Sequence, residues 1–138
     1  MTGRAEEGGP SDGLRYAAII AVLLVGGIHL QQYDSILKEV PTIGKLFILN
    51  AAGAAGIALA IAGLRGRALA LPALGGIALA GGAIVSVLIA RYSSIFDYSE
   101  PTYRAAVLLS LGFEVAAVAI LAALAAKSAK NRETTDVP

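Results

Sequence analysis

Residues 103–126 read YRAAVLLSLGFEVAAVAILAALAA. Beyond Tyr103 and Arg104, the only ionisable side chain in this stretch is Glu114; the rest are apolar or small. A helix of roughly 20 residues crosses a hydrocarbon core about 30 Å thick. A soluble helix of this length keeps one polar face. This one is apolar nearly all round, as a span in lipid must be. Three further segments share the pattern, at about residues 14–32, 43–64 and 68–90. The expected fold is all-α: a four-transmembrane-helix bundle with short loops and both termini cytoplasmic.

Composition agrees. Of 138 residues, 57% are hydrophobic and 15% charged, against about 45–50% and about 25% in soluble domains. That argues against an ordinary soluble enzyme and a disordered chain. The net charge of +1 offers a polyanion nothing, so no nucleic-acid partner is expected. With no cysteine, disulfides, iron–sulfur clusters, thiolate zinc sites and a cysteine nucleophile are excluded. One histidine and an initiator methionine cannot supply two haem ligands of the His/His or His/Met kind. No metal and no cofactor are expected, save a bound lipid or quinone. No Walker, Rossmann, HExxH or serine-nucleophile pattern occurs.

Residues 1–13 are polar and glycine-rich and read as a flexible tail; residues 127–138 read as a charged tail. Pro41 and Pro101 precede the second and fourth helices, and Pro72 falls in the opening turns of the third. The first helix follows a mixed-charge segment and lacks an A-x-A-like site after it, so it reads as an uncleaved anchor. Arg4, Arg15, Arg65, Arg67, Lys127, Lys130 and Arg132 flank one side; Lys38, Lys45, Arg91 and Arg104 flank the other. The positive-inside bias puts both termini in the cytoplasm of a multi-pass protein of the plasma (inner) membrane. Tyr33, Lys45, Tyr92, Tyr98 and Tyr103 then mark the outer interface, with Phe96 beside them.

Lipid supplies no hydrophobic drive between helices, so small residues are expected where backbones approach closely. The candidate packing positions are Gly26, Gly53, Gly56, Gly82, Ser86 and Gly112. Ala52-Gly56-Ala60 and Ala78-Gly82-Ser86 repeat every fourth residue, and Gly112 and Ala116 do the same. One stripe, or the Ala18, Ala21 and Gly26 face, is expected to stay uncovered and to receive another subunit.

Four polar residues form the candidate buried site: Glu114, Asn50, Ser110 and His29. A carboxylate at mid-membrane costs about 2.5–3.5 kcal/mol on insertion scales, so it pairs, protonates or serves a function. Glu114 reads as a proton site, a cation or polar-ligand contact, or a subunit pairing point. The alternative is a protonated carboxyl bonded to Ser110, Asn50 or a backbone carbonyl. Asn50 is expected as amide glue between helices and secondly as a Glu114 partner. His29 is expected near the outer end of its helix, bonded to a loop. Glu114 would then lie about 8 Å deeper, in contact only through tilt or a water. Lys45 is expected to snorkel or to pair with Glu39, Asp97 or Glu100. Asp34, Glu39, Asp97 and Glu100 are matched by as many basic residues, which favours a solvated surface over a cation site.

The run His29-Leu30, Tyr33, then Val40-Pro41-Thr42-Ile43-Gly44-Lys45-Leu46-Phe47-Ile48-Leu49-Asn50 resembles a pattern in small four-helix membrane proteins of high-GC actinobacteria. Glu114 fits that pattern too. The resemblance implies the topology and an actinobacterial source, and no activity. Within it, Pro41-Thr42-Ile43-Gly44 would be a shaped opening turn, with Thr42 capping the second helix.

Three function classes follow. The leading one is a non-catalytic accessory or stabilising subunit of a larger respiratory or envelope complex, with membrane lipids, other membrane subunits or further copies as partners. The second is an oligomeric proton-linked transporter or channel using Glu114. The third is a lipid- or quinone-binding membrane protein, or an enzyme with His29 as base.

Overall fold

The computed structural model describes residues 10–130. Four helices run up and down: α1 Asp12–Gln32, α2 Pro41–Gly63, α3 Ala70–Tyr92 and α4 Ala105–Lys130. A π-helical turn, Tyr33–Leu37, prolongs α1, and a 3-10 turn, Gly66–Leu69, leads into α3. No strand is present among the described residues. The four stretches Asp12–Leu37, Pro41–Gly63, Gly66–Tyr92 and Ala105–Lys130 are long and apolar enough to cross a membrane. This is the architecture of a multi-pass membrane protein. Four antiparallel spans leave Asp12, Lys130 and the α2–α3 turn at one end of the bundle, the termini end. The α1–α2 and α3–α4 connections occupy the other, the aromatic end.

Several boundaries differ from expectation. Ser11 caps α1, its Oγ accepting the Leu14 N–H at 3.3 Å, so the helix begins within the segment read as a tail. At its far end α1 ends at Gln32, as expected, but the chain does not turn into a loop there. The Lys38 N–H reaches the Tyr33 carbonyl at 2.9 Å, and the chain keeps winding through Leu37. α4 begins at Ala105 and continues to Lys130, past the expected end at 126. The tail readings for residues 1–9 and 131–138, Arg4 and Arg132 among them, lie outside the described residues. Thr42 does not cap α2: Val40 holds the cap position, Pro41 is in the first turn, and Thr42 is exposed.

Buried positions on α4 are Val107, Ser110, Glu114, Ala117, Leu121, Leu124 and Ser128, with spacings alternating between three and four. α1 repeats the spacing through Arg15, Ala18, Val22, Val25, His29 and Gln32. Such a heptad seam is the geometry of left-handed helix packing. α1 packs against α2 and α4, and α3 packs against α4, while α2 and α3 share the loosest seam. Towards the termini end the interior is solid, built from Ala18, Val22, Ile61, Leu69, Ala73, Leu121 and Leu124. Leu23, Leu49, Leu59, Leu71, Leu74 and Leu108 point outward, where lipid tails would solvate them.

The small-residue stripes are corrected by this packing. Ala52, Gly56, Ala78, Gly82, Ser86, Gly112 and Ala116 are all exposed, and Ser86 turns its hydroxyl back to the Gly82 carbonyl at 2.8 Å. Gly53 is half-buried against Leu79. Gly26, assigned to a possible partner face, lies inside the chain's own α1–α2 contact, where an added Cβ would stand 2.8 Å from the Ala54 Cβ. Small residues occur on both sides of these helices and do not say which side turns inward. The polar seam does, because polar groups left facing lipid cost more than any packing gain recovers.

Arg15 is buried at the termini end. Its Nη2 donates to the carbonyls of Ile61 at 2.9 Å, Ala62 at 3.2 Å and Leu64 at 3.1 Å, and its Nη1 to Asp12 at 3.3 Å. These are the orphan carbonyls at the C-terminus of α2, where a cation also complements the helix dipole.

Candidate functional site: a lateral cavity at mid-depth

Above the solid half the bundle is hollow. A cavity of about 370 Å³ is lined by His29 and Gln32 of α1, by Ile43, Phe47 and Asn50 of α2, by Ala83, Val87 and Ala90 of α3, and by Val107, Ser110 and Glu114 of α4. Ile95, Tyr98 and Glu100 of the α3–α4 connection close it at the aromatic end. Leu46 and Leu49 on α2 and Ala78, Gly82 and Ser86 on α3 line it and are themselves exposed. The opening is therefore sideways, between α2 and α3, part-way along the helices. Gly82 and Ser86 are not covered by this chain's own helices; they frame this mouth.

All four expected polar residues meet here. Ser110 donates to Glu114 Oε1 at 2.8 Å, one turn away on α4. His29 Nε2 stands 3.7 Å from the same oxygen, too long for a hydrogen bond. His29 Nδ1 lies 2.9 Å from the Val25 carbonyl, and its ring tilts against Phe47 with centroids 4.8 Å apart. His29 is thus bonded to its own helix and not to a loop. The continuation of α1 through Leu37 explains this. His29 lies eight residues from that end and Glu114 nine residues into α4, so both sit roughly 12–14 Å from the aromatic end. Asn50, nine residues into α2, lies level with them. It is not glue: its Oδ1 is buried without a hydrogen-bond partner among the described residues. Glu114 Oε2 is likewise buried and unpartnered. Buried polar atoms without partners are rare and call for an explanation.

Two lining residues were not singled out from sequence. Gln32 is buried one turn beyond His29 on the same seam. The heptad spacing 15-18-22-25-29-32 was the signal that would have found it. Glu100 was read as a solvated loop carboxylate, yet it is only 4% exposed. Arg104 donates to it through Nε at 3.0 Å and Nη2 at 2.8 Å, and the Tyr98 hydroxyl donates at 2.8 Å. Lys45 is exposed and forms no ion pair among the described residues. Arg104 holds the place expected for it. Phe96 and Asp97 both take positive φ, 50° and 61°, in a tight turn closed by paired backbone bonds between Ile95 and Tyr98. A phenylalanine held there is strained, and the strain aims Tyr98 at Glu100. Of the remaining interface aromatics, Tyr33 is half-buried, while Tyr92 and Tyr103 flank the Arg91 guanidinium at 5.8 and 5.5 Å from their ring centres.

This latch has a pH signature. Burial alone would lift the Glu100 carboxyl, but Arg104 and Tyr98 outweigh it and hold it below its ordinary value of 4.5. Burial, then the bond to Glu100, pushes Tyr98 up to about 12. A depressed carboxyl stabilises the fold fully above its ordinary value and loses that contribution as pH falls through the lower folded value. Thermal unfolding in detergent should therefore show a drop in Tm below about pH 4.5 that is smaller in Glu100→Gln. Identical acid profiles would show that the latch contributes nothing.

Compared with protein families, curated proteins and solved structures, the chain gives no significant match.

Proposed function

We propose that this chain is a small non-catalytic protein of the plasma membrane that holds a membrane-dissolved amphiphile in the lateral cavity, polar end inward. The observation that carries this reading is the pair of buried, unpartnered acceptors, Glu114 Oε2 and Asn50 Oδ1, inside a chamber that opens toward lipid. Its volume falls in the range of small-molecule pockets, about 300–1,000 Å³. A molecule entering from the bilayer keeps its hydrocarbon chain in the mouth and brings its polar group to the seam.

A plug tests this. Gly82 lines the mouth and an added Cβ there meets nothing within 4 Å, so a larger side chain starts from open space rather than from a helix contact. Native mass spectrometry after mild extraction should find a lipid-sized adduct on the wild type. Gly82→Trp should lose it while keeping the wild-type Tm. No adduct on either protein would count against the reading.

An accessory-subunit role is the second reading. It is favoured by the small-residue faces of Ala52 and Gly56 and of Gly112 and Ala116, which the chain's own helices leave uncovered. A companion chain in the same spectra would support it. Both termini facing the cytoplasm belongs to either reading. Cysteines at Ser11 and Arg67 should resist impermeant reagents from outside, and those at Ser35 and Ser99 should react.

A further inference from the structure

We infer that the cavity selects an amphiphile whose headgroup donates hydrogen bonds, a hydroxyl or an ammonium, over one whose headgroup only accepts them. This rests on the cavity being a binding site, as proposed above. The polar lining is rich in acceptors and short of free donors. Asn50 Oδ1 is a buried acceptor with nothing to accept, and Glu114 Oε2, an acceptor when the carboxyl is ionised, is buried without a partner. His29 Nδ1 faces the Val25 carbonyl, which can only accept, so the ring hydrogen sits on Nδ1. In the neutral ring, Nε2 then presents a lone pair.

The hydroxyl donors nearby are already committed. Ser110 gives its hydrogen to Glu114 Oε1, and Tyr98 gives its hydrogen to Glu100. Arg104 spends its Nε and Nη2 donors on that same carboxylate. The side-chain amides of Asn50 and Gln32 are the donors left, and each brings an acceptor with it. An ether or ketone oxygen in this chamber leaves Glu114 and His29 unsatisfied, which the surrounding apolar walls make costly. A hydroxyl, with one O–H, satisfies one of them, and an ammonium, with three N–H donors, can satisfy both. An alcohol and an amine share this chemistry and differ in charge, which the test separates.

The full chain in lipid nanodiscs is titrated with three labelled compounds carrying one hexadecyl chain: the primary alcohol, the primary amine and the methyl ether. Retention is measured against empty nanodiscs. The alcohol, the amine or both should bind at least about tenfold more tightly than the ether. An alcohol preference identifies a neutral occupant. An amine preference identifies a cation held by the Glu114 carboxylate. Glu114→Gln replaces an acceptor by an N–H donor and should narrow the gap between donor compounds and ether. Asn50→Ala reports the same narrowing should the first variant fail to fold. Equal retention of all three compounds by the wild type would overturn the donor selectivity and leave the binding site standing. Retention of none above empty nanodiscs would overturn the binding reading itself.

Discussion

Gly26→Leu should strongly destabilise the bundle, whereas Gly56→Leu and Gly82→Leu should fold normally. At Gly26 an added Cβ would stand 2.8 Å from the Ala54 Cβ and 3.4 Å from the Ala51 carbonyl oxygen. The obstacle is the backbone and first carbon of α2, which cannot rotate aside as a long side chain does. The helices must separate, and α1–α2 is the most extensive contact in the fold. Overpacking of this kind costs about 1–3 kcal/mol, and a whole leucine between two backbones belongs at the upper end. At Gly56 and Gly82 an added Cβ meets nothing within 4 Å. Those substitutions should stay within about 0.5 kcal/mol. The measurement is unfolding of each variant in mixed micelles, with helicity and size-exclusion profile as controls. Equal stability of all three variants would show that α1 and α2 are not held backbone to backbone.

Arg15→Met should cost about 3 kcal/mol, although methionine matches the bulk of the arginine stem. The guanidinium donates to three carbonyls at the end of α2 and methionine can donate to none; Arg65 also reaches those of Ala62 and Leu64, so the Ile61 carbonyl is the one left bare. Hydrogen bonds from charged donors contribute about 1.5–3 kcal/mol, and the same charge offsets the negative end of the helix dipole. Arg15→Lys should recover part of the loss, because an ammonium keeps the charge but not the planar fork. Urea or SDS titration of the three proteins reads the order. An Arg15→Met protein as stable as wild type would mean that Arg65 and water satisfy the end of α2 without it.

The site was half legible beforehand. Glu114, Asn50, Ser110 and His29 stand out because each is costly in lipid, and cost alone argues that they face inward together. Their common depth was not legible. It depended on the π-turn at Tyr33–Leu37, which carries α1 past a run of polar residues that reads as a loop. Gln32 and Glu100 were missed for a related reason. Near a helix end or in a connection, a polar residue carries no penalty that marks it as buried. Only Arg104 and Tyr98, brought across by a strained turn, show that Glu100 is held inside.

Sequence by itself determined the number of helices and that each is long and apolar enough to cross a membrane, because crossing a hydrocarbon slab imposes a length and an apolar composition on each span separately. Tertiary structure decided which face of each helix turns inward. In lipid both faces are apolar, so hydropathy has almost no period to read, and alanine and glycine occur all round. It also decided that the upper half stays hollow and opens between α2 and α3. A void is the failure of four surfaces to meet, and no single segment records that.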